Sequence, residues 1–68
     1  MDTYRIVTKE LPSHHITDLI AGLTISPLEN GNNLLIVPIV DQSALRGLLD
    51  YLWDFNTTIL VVERIDYD

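Results

Sequence analysis

Asp41-Gln42-Ser43-Ala44-Leu45-Arg46-Gly47-Leu48-Leu49-Asp50-Tyr51-Leu52-Trp53-Asp54-Phe55-Asn56-Thr57-Thr58-Ile59-Leu60-Val61-Val62-Glu63-Arg64-Ile65 joins a helix start, an amphipathic helix and a β-branched strand with almost no linker. Asp41 has the side chain of an N-cap: its carboxylate accepts from a free backbone N–H of Ser43 or Ala44 and suits the positive end of the helix dipole. The helix therefore starts at about Gln42. At about 100° per residue, Leu45, Leu48, Leu49, Leu52 and Phe55 share one face with Ala44 beside them, while Ser43, Arg46, Asp50 and Asp54 lie opposite. One side is built for burial. Asn56 ends the helix as a left-handed cap, and Thr57 to Val62, nearly all β-branched, read as an extended strand.

Working back toward the N-terminus, Tyr4 to Glu10 sets Tyr4, Ile6 and Thr8 against Arg5, Val7 and Lys9, the alternation of a strand with one wetter face. Leu11-Pro12-Ser13 breaks it. Ser13 is placed to cap a helix of about two turns carrying Ile16, Leu19 and Ile20, with Gly22 as its left-handed terminator. Leu23 to Leu28 reads as a second strand, and Pro27, lacking an N–H, marks its end or a sheet edge. Glu29-Asn30-Gly31-Asn32-Asn33 is the clearest turn in the chain and closes a hairpin into Leu34 to Val40.

The predicted order is strand, helix, strand, strand, helix, strand in one α+β domain spanning residues 1–68. With right-handed crossovers this gives the ferredoxin-like βαββαβ sandwich, an antiparallel four-stranded sheet with both helices on one face. Leu34 to Val40 and Ile59 to Val62 are apolar on both faces rather than alternating. If helices cover one face only, the other needs a second copy or another protein to cover it. Leu35, Val37, Ile59 and Val61, with Trp53 at the border of the helix's apolar face, are the expected interface of a homodimer or higher homo-oligomer. Gly47, in mid-helix and costing roughly 1 kcal/mol relative to Ala, hints at close approach by another backbone.

Composition narrows the function classes. Ten acidic and four basic side chains give 68 residues a net charge of −6, which disfavours a nucleic-acid phosphate backbone as partner. The chain contains no cysteine, so disulfides, thiolate metal sites and cysteine nucleophiles are excluded. The N-terminal residues lack the order of a secretion signal, and no apolar run approaches the about 18 residues of a membrane span, so a cytoplasmic protein without a membrane partner is expected. His14, His15 and Asp18 are the one cluster resembling metal ligands. His14 and Asp18 share a helix face, yet two ligands fall short of a zinc site and no metal or other cofactor is expected. Ser26 and Ser43 lack a histidine, an acid and an oxyanion loop, and Asp50 with Asp54 are solvated helix charges; no catalytic residue is expected and the chain does not read as an enzyme.

The segments Gly22-Leu23-Thr24-Ile25-Ser26-Pro27, Asn30-Gly31 and Pro38-Ile39-Val40-Asp41-Gln42-Ser43-Ala44-Leu45-Arg46-Gly47-Leu48-Leu49 together resemble a group of small uncharacterised bacterial proteins with a G-L-T-x-x-P, turn, D-Q-x-A-L-x-G-L-L pattern. The resemblance covers about residues 22 to 65 and implies bacterial origin, with no activity or site attached. Asp41 to Leu49 is also similar to the helix opening of ACT regulatory domains, displaced here from after the first strand to after the third.

The leading expectation is an uncharacterised, acidic, non-catalytic module for self-associating protein–protein interaction. The alternatives are an ACT-like small-ligand-binding regulatory domain with a pocket formed by Leu23 to Val40 between subunits, and a small acidic inhibitor or nucleic-acid mimic clustering Asp50, Asp54, Glu63, Asp66 and Asp68.

Overall fold

The computed structural model describes residues 2–12 and 15–65. Strand β1 (Asp2–Thr8) is followed by helix α1 (Ile16–Leu19), strands β2 (Thr24–Pro27) and β3 (Asn33–Ile39), helix α2 (Gln42–Asp54) and strand β4 (Ile59–Ile65). The strands form one antiparallel sheet in the order β2-β3-β1-β4. β1 and β3 are central, and β2 and β4 are edges.

Helix α2 forms where its sequence signals place it. Asp41, with extended backbone, accepts a 2.8 Å hydrogen bond from the Ala44 N–H, and Asn56 takes the left-handed conformation at φ 58°. Leu48 and Leu52 are the buried residues of α2, with Ala44, Leu45 and Leu49 half-buried beside them. Phe55 departs from expectation. It follows the last helical residue, its backbone leaves helical geometry, and its ring stacks on Tyr51 at 4.6 Å while staying exposed.

Helix α1 is shorter than the two turns expected. Ile16 is its one buried residue, Ile20 is already extended, and Gly22, at φ 85°, turns the chain toward β2 two residues later. A Cβ at Gly22 would lie 2.9 Å from Cγ of Pro38, so close approach to β3 as well as the positive φ requires glycine here. The expected cap Ser13, and His14 of the ligand-like cluster, lie outside the described residues. The observed architecture is thus a small α+β fold with a four-stranded antiparallel open sheet and two helices. A full two-helix sandwich is not reached, because only α2 is long enough to lie across the sheet.

The core sits between α2 and one sheet face. Tyr4 and Ile6 of β1, Leu35, Val37 and Ile39 of β3, Leu48 and Leu52 of α2, and Ile16 and Leu23 form a single apolar cluster. The hairpin β2–β3 turns through Gly31 at φ 87°, and the Asn30 side chain accepts from the Asn32 N–H at 3.0 Å. A second tie closes the far end of β1: the Thr58 hydroxyl donates to Glu10 Oε1 at 2.7 Å, and the Lys9 N–H donates to the Thr58 carbonyl at 2.9 Å. Those bonds fix the end of β1 against the link from α2 to β4. Among the described residues no helix is long and apolar enough to cross a membrane.

Candidate interaction surface

The β1–β3 register pairs Tyr4 with Val37 and Ile6 with Leu35, so these four side chains share the helix-covered face. Leu35 and Val37 are 0% exposed. Both were expected at an interface, and the structure instead places them in the core. The parity of β3 explains the difference: Leu34 and Ile36 take the open face in their stead, opposite Val7 and Arg5.

Rows of side chains cross that open face. One row runs Ser26, Leu34, Val7, Val61 and the next Thr24, Ile36, Arg5, Glu63. The first row has an apolar centre, and Val7 is buried between its cross-strand neighbours although no helix covers it. The second row ends in an ion pair, Arg5 Nε to Glu63 Oε1 at 3.4 Å, laid across the sheet beside the apolar residues. Val61 is half-buried here.

The β4 edge is different in character. Val7 pairs with Val61 and Thr8 with Ile59, so Leu60 is the extra residue of a bulge. Leu60 and Val62 are exposed at 48% and 42%, and Trp53 on the neighbouring helix flank at 70%. Trp53, Leu49, Ile59 and Val62 line a groove of about 450 Å³ between α2 and β4, with Arg46 and Asp50 at its rim. Trp53 therefore stands beside the edge strand and largely in the open. Ile59 packs its inner side against the core. Leu60 and Val62 were missed as surface residues because a run of β-branched residues reads equally as a central strand.

The remaining polar candidates are dispersed. His15, just before α1, and Asp18 on it are exposed, and among the described residues no group of three or more His, Asp or Glu side chains is gathered to hold a metal ion. Asp50 and Asp54 lie on the exposed side of α2, whereas Glu63 lies on the open sheet face against Arg5. Asp66 and Asp68 lie outside the described residues.

Fold and surface thus define a small α+β sheet protein with one helix-covered face and an edge strand, β4, that exposes Leu60 and Val62. Residues 3–63 match the model of a family described as a domain of unknown function (DUF8691), and the chain belongs to that family. No curated protein and no solved structure matches the chain.

Proposed function

We propose that this chain is a non-catalytic interaction module that forms a homodimer by antiparallel pairing of two β4 edges. The observation that carries the proposal is the seven-residue β4, hydrogen-bonded to β1 on one side only, with Leu60, Val62 and Trp53 exposed along it. A long edge with free N–H and C=O groups and apolar side chains is a template for another strand, and proteins that stay monomeric blunt such edges with charges, lysine above all, with proline, bulges or short length. β4 has neither lysine nor proline, its two charges, Glu63 and Arg64, lie in its second half, and Ile59 to Val62 ahead of them are all apolar. Its bulge at Leu60 leaves Val61 through Ile65 regular, and of these Val61 to Glu63 can pair symmetrically about Val62.

Symmetry selects a register. A two-fold axis through Glu63 sets two carboxylates opposite one another, which disfavours it; an axis through Val62 sets valine against valine and Glu63 against Val61. In that register both copies of Trp53 flank the seam. The strand order, with β1 and β3 central, supports reading each subunit as a reduced ferredoxin-like sandwich, and pairing would continue the two sheets as one. The resemblance over residues 22–65 and the acidic, cysteine-free composition support a bacterial, cytoplasmic setting for the same module.

Light scattering after size exclusion tests the dimer. The unaltered chain should elute with twice the mass of one chain at high micromolar concentration, and Val62→Glu, which places two carboxylates face to face at an exposed position, should return it to one. A single-chain mass for both proteins overturns the proposal.

A further inference from the structure

We propose that the groove between α1 and the first half of α2 receives a cationic amphipathic helix of a partner protein, laid alongside α2 where α1 is too short to lie. This groove is separate from the β4 edge and does not depend on dimerisation. It has a volume of about 610 Å³ and is walled by Leu19, Ile20, Val40, Ala44, Gly47 and Leu48, with no charged side chain in its lining among the described residues. Leu19 and Val40 are 58% and 68% exposed, so its walls stand open.

Two further observations identify the occupant as a helix with basic flanks. Gly47 lies in the interior of α2, where glycine disfavours the helix, and a Cβ built there meets nothing within 4 Å. The fold itself makes no use of the missing side chain. Ala44 and Gly47, one turn apart, give a shallow floor against which a second helix backbone can come close. Each segment that borders the groove also carries an exposed acid: Asp18 beside Leu19, Asp41 beside Val40, and Asp54 further along α2. Asp54 falls within about 20° of Gly47 around the helix. The one basic residue of α2, Arg46, lines the other groove together with Asp50, against β4. An apolar stripe flanked by lysine or arginine complements this arrangement, whereas acidic flanks are repelled.

The test is a titration of the full ¹⁵N-labelled chain with two synthetic helical peptides of about 14 residues, matching the length of α2 at 1.5 Å per residue. Both carry the same leucine and alanine face, one with lysine flanks and the other with glutamate. At physiological ionic strength the lysine peptide should shift the amides of Ala21, Val40, Ala44 and Gly47 and bind at least about tenfold more tightly than its glutamate counterpart. Gly47→Leu should abolish those shifts, and Leu19→Ser, at an exposed position that leaves the core intact, should weaken binding several-fold. Equal affinity for the two peptides, shifts confined to β4 or the open sheet face, or unchanged binding by Leu19→Ser overturns the proposal. So does movement of the groove amides with protein concentration alone, which would make a second copy the occupant. The light-scattering result on β4 is read separately, so either proposal can fail without the other.

Discussion

Leu34 and Leu35 are neighbours with the same side chain and opposite fates, one half-buried on the open face and the other fully enclosed against α2. Leu35→Ala should cost about 2–5 kcal/mol, a large part of the stability of so small a domain, while Leu34→Ala should cost roughly 1 kcal/mol. Urea midpoints of the two variants measure the difference, and equal midpoints would contradict the parity of β3. Residues 34–40 could not reveal that parity, because a continuous apolar run carries no alternation. β1 does alternate: Tyr4, Ile6 and Thr8 are all buried on the helix side, and its register with β3 transmits the pattern. Gly47→Ala should raise stability by about 0.5–1 kcal/mol, since the added methyl meets open space and the helix gains propensity. Gly22→Ala should do the reverse, because its positive φ and the Pro38 ring leave no room for a Cβ. Thermal midpoints of the two variants, one up and one down, check both.

Element by element, the sequence is most legible where local chemistry alone decides. The limits of α2 follow from the Asp41 cap and the Asn56 terminator, both made by side chains or dihedral preferences of single residues. The turn at Glu29 to Asn33 is legible for the same reason. The shortness of α1 was not, since its apolar spacing fits two turns while Ile20 is drawn into extended geometry on the way to β2. Hydrogen exchange should show the consequence: amides of α1 exchange far faster than those of β1 and β3, which lie at the sheet centre and are paired on both sides. Protection of Leu19 equal to that of Ile6 would contradict this reading. The edge position of β4 was hidden too. Residues 34–40 and 59–62 have similar apolar runs, yet one becomes a central strand and the other an edge, because β1 takes the place between them. Only pairing over long sequence separations decides which.

At the scale of the whole molecule, the shortest dimension is 19 Å, room for one sheet and one helical layer of about 10–12 Å and for no third layer. Of the five residues expected at an interface, Leu35 and Val37 are enclosed by that single helical layer, whereas Trp53, Ile59 and Val61 lie on or beside β4. Trp53 is the chain's single tryptophan, so its emission reports on that edge directly. On dilution from high to low micromolar concentration the emission should move to longer wavelength as indole returns to water, and Val62→Glu should hold it there at every concentration. The central claim, that β4 pairs with β4 of a second copy, is tested most directly by isotope-filtered NMR on an equal mixture of ¹³C,¹⁵N-labelled and unlabelled chain. Intermolecular contacts from Val62 to Val62 and from Val61 to Glu63 are the predicted result; intermolecular contacts confined to the open-face residues Leu34 and Ile36, or none at all, would contradict it.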